Sequence, residues 1–283
     1  MSAADYWSPS GRAEPDVGRA LGLVRRRCFP AALGPALAAG IVAGVLAGLV
    51  NPILGVVVLS VVVVTVLATL LAVLPERRRL AVTPELVRIV GGRGIDPVAE
   101  ARIVNLIESL VATLGVPEPT ISVIDDQGAN LATHGPPGDS HLIVTTGLTT
   151  LLTRVEAEAV LAEALWRIRS GDAEIAGLVA SLFGGEALET PVSAPAPADW
   201  VERWANVDLL FSELRHIDAD AAAVGVTRYP PALATALLAM ERTGTSVGSA
   251  TWGTAGLWMC DPGPGGGVTH PSVGLRISVL DEL

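Results

Sequence analysis

The stretch FPAALGPALAAGIVAGVLAGLV at residues 29–50, then Asn51-Pro52, then ILGVVVLSVVVVTVLATLLAVL at residues 53–74, decides the architecture of this chain. Neither run holds a charged residue, and each is 22 residues long. At a rise of about 1.5 Å per residue, such a run crosses a hydrocarbon core of roughly 30 Å. Asn51 and Pro52 are a turn-forming pair that ends one helix and starts the next. A two-residue connection makes the spans antiparallel. The first run is too long, and wrongly flanked, for a cleaved signal peptide.

Arginine placement gives the expected orientation. Arg25, Arg26 and Arg27 precede the first span, Arg77, Arg78 and Arg79 follow the second, and the turn is uncharged. The positive-inside rule then puts both termini in the cytoplasm of a multi-pass protein of the inner (plasma) membrane. The expected division is a segment over residues 1–28, a transmembrane hairpin over 29–75 and a cytoplasmic domain over 76–283. Gly40, Gly44 and Gly48 recur every four residues on one face of the first span, a spacing that lets another helix approach closely. Packing within the hairpin is the plainer use of that face, and docking on another membrane protein is the other.

Composition excludes several function classes. All 19 basic residues are Arg, so a Lys nucleophile, a Schiff base and a P-loop Lys are absent. Eight of the Arg and four of the 29 acids lie before Leu80, which leaves the remainder with 11 Arg against 25 acids. So acidic a domain repels phosphate, and no nucleic-acid partner is expected. Cys28 and Cys260 form neither a metal-ligand spacing nor a disulfide framework.

Beyond the membrane the pattern is mainly helical with a small sheet. Gly91-Gly92-Arg93-Gly94 reads as a turn, and Thr83-Pro84 opens the segment before it. Helical spacing runs over residues 96–114, 154–168, 175–183, 201–224, 231–242 and 273–280. Short strands are expected at Thr120–Ile124 and His141–Thr145, with turn-rich sequence between them. Residues 190–197 form a Pro-rich loop. His134 and His141 read as loop and strand-edge residues, and the tryptophans from Trp166 onward as core or helix packing.

Several segments in order carry a resemblance. Ile121-Ser122-Val123-Ile124-Asp125 precedes Ala129-Asn130-Leu131-Ala132; Leu142-Ile143-Val144-Thr145 ends in Thr146-Gly147-Leu148. Residues 153–162 lead into a helix that leaves through Arg169-Ser170-Gly171-Asp172. Residues 215–220, Thr269-His270-Pro271 and Arg276-Ile277 follow. Together with the hairpin, these resemble the HtpX-like membrane zinc metalloproteases. The resemblance implies a gluzincin-like α+β domain after the two-helix hairpin, with a helix carrying HExxH, whose two His bind zinc while Glu acts as general base. Here those five positions read Glu163-Ala164-Leu165-Trp166-Arg167. Ala164 cannot accept a proton, Arg167 puts a permanent cation in a ligand position, and the third family ligand, a Glu, aligns with His216. Asp220 keeps the place of the family's Asp.

Glu163 and Arg167, at i and i+4, are spaced for a salt bridge that would fill the metal's place, with Asp220 as a third member. The expected function is therefore that of a catalytically inactive, metalloprotease-like scaffold or regulatory subunit, not an enzyme, with no cofactor. Its expected partners are the lipid bilayer and another membrane protein, or an extended peptide segment. The binding residues are Asn130 with His141, Leu142, Ile143, Val144 and Thr145, taken as the edge strand of a cleft, which either a partner or residues 190–197 would cover. The alternative is a zinc metalloendopeptidase with an unusual site on Glu163 and His216.

Overall fold

The computed structural model describes residues 17–183, 185–198, 200, 215–263 and 270–283. Residues 18–81 form one compact unit, and the chain from Val82 onward forms the body of another.

The first unit is a hairpin of α1 (Val17–Gly48) and α2 (Pro52–Val90), joined at Asn51, whose side chain accepts the Ile53 backbone N–H at 2.8 Å and so caps α2. Both helices are long and apolar enough to cross a membrane. The glycine stripe of α1 meets α2 inside the hairpin. A Cβ added at Gly44 would lie 2.7 Å from Leu59 Cβ, and one added at Gly55 of α2 would lie 2.8 Å from Gly48 Cα. Only glycine permits that approach. α2 continues to Val90, so the segment start expected at Thr83-Pro84 lies inside a helix. Burial of Val82, Leu86 and Val90 holds its last turns in the second unit.

The second unit is mainly helical around a four-stranded mixed sheet, as its sequence pattern implied. After Gly91 and Gly92, both at positive φ, Arg93–Gly94 forms the short strand β1 in place of a plain turn. Helix α3 (Ala101–Leu114) is strongly amphipathic in sequence, buries Ile103, Leu106, Ile107 and Leu110, and ends at Gly115 with φ 64°. Strands β2 (Thr120–Ile124), β3 (Leu131–His134) and β4 (His141–Thr145) complete the sheet in the order β1-β2-β4-β3.

That order corrects the edge-strand expectation. β4 is interior: it pairs in parallel with β2, Ile121 against Leu142 and Val123 against Val144, and antiparallel with β3, Leu131 against Val144. Its apolar, β-branched sequence reflects burial on both faces, which an edge strand does not need. The edge on that side of the sheet is β3, with Asn130 just before it. Its outer side is met by an antiparallel bridge between Ala132 and Trp258. Residues 190–197 do not cover it: Pro191 bridges Thr251, and the Val192 N–H donates to the Ala250 carbonyl.

A short α4 (Thr146–Leu151) leads to α5 (Arg154–Ser170), the helix that carries residues 163–167. Thr153 and Glu156 cap it reciprocally, and Gly171 at φ 85° ends it. α6 (Asp172–Phe183), α7 (Arg215–Thr227), α8 (Pro230–Thr243) and α9 (Val273–Leu280) pack around α5 and the sheet. The helix expected over residues 201–224 is described only from Arg215; its earlier part, with Trp204, lies outside the described residues, as does most of the Gly- and Pro-rich stretch at 262–267.

Candidate functional site

α5 is buried on nearly all sides from Ala157 to Ile168, and the residues in the family's zinc positions are part of that core. Glu163 and Ala164 are fully buried, and Arg167 is 1% exposed. α7 brings Arg215, His216 and Asp220 against this face, α9 brings Arg276, and the approach to α9 brings His270.

The Glu163–Arg167 salt bridge expected from spacing is not formed. Arg167 turns away from Glu163: its Nε donates to Asp172 Oδ2 at 2.7 Å, and its terminal nitrogens donate to the carbonyls of Gly256 at 3.2 Å, Leu257 at 3.1 Å and Trp258 at 3.4 Å. Arg215 donates to Asp172 Oδ1 at 3.3 Å and to the Gly256 carbonyl at 2.7 Å. Asp172 sits in the first turn of α6, where a carboxylate is favoured by the helix dipole. Burial works against its charge, yet Arg215 and Arg167 outweigh it and hold the carboxyl below its ordinary pKa. A planar fork with five donors serves one carboxylate and three carbonyls at once, which a single ammonium could not. Asp220 does not join this group. It takes Arg276 bidentately, at 2.7 and 2.6 Å, and Arg276 also donates to the Met259 carbonyl at 2.8 Å.

Glu163 and His216 lie in the middle. Neither carboxylate oxygen and neither imidazole nitrogen has a hydrogen-bond partner among the described residues, and the nearest approach between the two groups is 4.0 Å, from His216 Nδ1 to Glu163 Oε1. Burial pushes the Glu163 carboxyl up to about 7 and holds His216 well below its ordinary value. Near pH 7 the imidazole is therefore neutral, and the carboxyl is poised to gain or lose a proton. His270 packs its ring 4.7 Å from that of His216, hydrogen-bonds the Trp258 carbonyl at 2.9 Å, and is lowered to about 3 by burial. Cys260 is no thiolate nucleophile, since burial pushes its thiol up to about 11.

The zinc that the family implies does not fit these side chains. Two competent ligands, Glu163 and His216, face each other, but no group of three or more His, Cys, Asp or Glu able to hold a metal gathers among the described residues. The guanidinium of Arg167 stands where a second ligand would be required.

Asn130, expected in the cleft, is at the site. Its amide donates to the Cys260 carbonyl at 2.9 Å and its oxygen accepts the Cys260 N–H at 3.2 Å. His141, Leu142, Ile143, Val144 and Thr145 line no edge. The centre instead gathers Arg215, Asp172 and Arg276, which sequence reasoning placed in flanking motifs without a role. Arg215 and Asp172 are 43 positions apart, so no local spacing could pair them. His134 is likewise no loop residue: it lies in β3, fully buried, its ring stacked on that of His141 at 5.2 Å.

Two apolar helices followed by an α+β domain, with a polar centre on the helix after the sheet, are the parts that a metalloprotease-like membrane protein requires, and similar proteins support that class. The chain is HtpX-like. It is 28% identical over 226 residues to a protease HtpX homolog of Tropheryma whipplei, covering 70% of this chain and 77% of that protein. A protease HtpX homolog of Dictyoglomus thermophilum is 29% identical over 211 residues, 63% of this chain and 68% of that protein. One from Streptococcus pneumoniae is 25% identical over 236 residues, 68% of this chain and 77% of that protein. No family model matches the chain, and no solved structure matches it. These relatives correct one expectation. The sequence reading took the chain for a non-enzyme, whereas the curated proteins it matches are named proteases and point to a protease.

Proposed function

We propose that this chain is a membrane-anchored, HtpX-like protein that holds an extended protein segment at the cytoplasmic face of the membrane, without zinc, as scaffold or regulatory subunit of another membrane protein. The observation that carries the reading is the Arg167 centre. A guanidinium in a metal-ligand position binds three successive backbone carbonyls, those of Gly256, Leu257 and Trp258, where a 3-10 turn gives way to extended backbone. Carbonyl binding by a fixed cation needs no metal and tolerates many sequences. Holding a segment is also the step that a protease and a regulatory subunit have in common. The two Arg clusters support cytoplasmic placement of both termini, and reporter fusions at Ser2 and Leu283 test it: an external signal from either overturns the orientation.

The test of the holding role is affinity purification of the full chain from its native membranes in mild detergent. A membrane protein retained in stoichiometric amount, and lost from a folded Arg167→Lys variant, is expected. No retained membrane protein, or equal retention by both, overturns the reading.

A second reading, peptidase activity built on Glu163 and His216, is favoured by the relatives' printed name and by the unpartnered carboxyl–imidazole pair, with Glu163 near pKa 7. Cleavage of casein by the purified chain, abolished by Glu163→Gln, supports it. Cleavage that survives Glu163→Gln, or no cleavage, removes it.

A further inference from the structure

The hairpin brings its two arginine triplets level with one another. Cβ atoms added at Gly40, Gly44 and Gly55 would meet Val63, Leu59 and Gly48. These contacts advance by four residues on each helix, so α1 and α2 pack antiparallel in one fixed register. The buried face of α1 continues it away from the turn: Ala36, Ala32, Cys28, Val24 and Ala20 recur every four residues and are all buried. Carried along both helices, the register sets Cys28 against Pro75, which is buried too. It then sets Arg26 against Arg77, Arg25 against Arg78, and Arg27 against Glu76. Six Arg and a single acid thus share about one turn of each helix. Arg25, Arg26 and Arg77 are exposed, and none of the three forms an ion pair among the described residues.

The height of this belt is set by the same register. Arg26 lies 22 positions from Gly48, and Arg77 lies 22 positions from Gly55, which is about 33 Å of helix in each case. A hydrocarbon core is roughly 30 Å thick. With the uncharged turn at one interface, the belt falls at the headgroups of the other. Each guanidinium presents a planar fork that matches two oxygens of a phosphate. Beyond Leu80 the chain holds 11 Arg against 25 acids, so an anionic surface repels the rest of it. Attraction is confined to the belt.

We infer that the level triplets form a site for the phosphates of anionic phospholipids in the leaflet at that end of the hairpin. The orientation rule counts arginines however they are arranged. The register adds that one lipid phosphate meets guanidiniums from both helices, and so ties α1 to α2 where they leave the bilayer. This site does not depend on the holding role.

The probes are spin-labelled phosphatidylglycerol and spin-labelled phosphatidylcholine, in phosphatidylcholine vesicles carrying the full chain at about 0.1 M salt. Electron spin resonance reads the share of each lipid that the protein immobilises. Phosphatidylglycerol is expected to be preferred about fivefold, the factor of one guanidinium at an anionic surface. The variant Arg25→Gln/Arg26→Gln/Arg77→Gln keeps Arg27, Arg78 and Arg79 to hold the orientation, and is expected to lower that ratio. Parity between the two lipids on the wild type, or an unchanged ratio on the inserted variant, overturns the proposal. Should the variant not insert, the wild type at about 1 M salt decides, where screening acts within about 3 Å. The preference is expected to vanish there, and its survival overturns the proposal. Inorganic phosphate at matched ionic strength is expected to leave the preference intact; its loss would mark a site for free phosphate and overturn the assignment to lipid.

Discussion

Replacing Arg167 with Ala strips the centre of its organising donor. Asp172 would keep Arg215 at 3.3 and 3.5 Å but lose its shorter contact, the 2.7 Å bond from Arg167 Nε. The Gly256 carbonyl would keep Arg215 and the Trp258 carbonyl would keep His270, whereas Leu257 would lose its Arg167 donor. Breaking a buried ion pair costs about 3–5 kcal/mol, and a stranded buried carbonyl falls within or adds to that at about 1–3 kcal/mol. For a domain of this size, a loss of 3–5 kcal/mol lowers the melting midpoint by roughly 6–20 °C. Thermal unfolding in detergent, followed by tryptophan fluorescence from buried Trp200 and Trp258, measures it. Arg169→Ala, at an exposed position of the same helix, is the control and should shift the midpoint by less than about 2 °C. A similarly small shift for Arg167→Ala would refute the structural role given to the guanidinium.

The remaining predictions follow from the same contacts. Because the folded pKa of Glu163 is raised to about 7 from 4.5, the folded state holds that proton more tightly. Its contribution to stability is full below pH 4.5 and is lost as pH rises through 7, on the order of 3 kcal/mol in all. His216 and His270, both lowered by burial, act the other way and lose stability as pH falls below 6.5. The difference between wild type and Glu163→Gln, measured by urea unfolding from pH 4.5 to 7.5, isolates the carboxyl; a pH-independent difference would contradict its burial in neutral form. In the hairpin, Gly55→Leu pushes a side chain against the backbone of Gly48 and Gly44 and should lower stability in detergent, whereas Gly34→Leu, with nothing within 4 Å of the added Cβ, should not. Equal effects would place the helix contact elsewhere.

Much of the fold was legible because it is written locally. The hairpin follows from two uncharged runs, α5 from helical spacing over residues 154–168, and β2 and β4 from β-branched runs between turns. β3 was not legible: four residues, all buried, show no alternation, and they follow directly on the turn-rich stretch at 125–130. Taking β4 for the edge was the consequence. At the site, Glu163 and Arg167 satisfy the i, i+4 rule, but that rule describes an isolated helix face. Once α7 and residues 256–258 close over α5, Arg167 finds a carboxylate and three carbonyls, and Glu163 is left to burial. The replacement of the zinc residues could be read directly; the three carbonyls that receive Arg167 lie some ninety positions away.

The zinc content of the purified full chain tests the central claim most directly, since a guanidinium at the ligand position and a metal there exclude one another. Elemental analysis of protein prepared without chelator is predicted to find no stoichiometric zinc, and chelator is predicted to leave the melting midpoint unchanged. One zinc per chain, removed by chelator with a fall in that midpoint, would contradict the account.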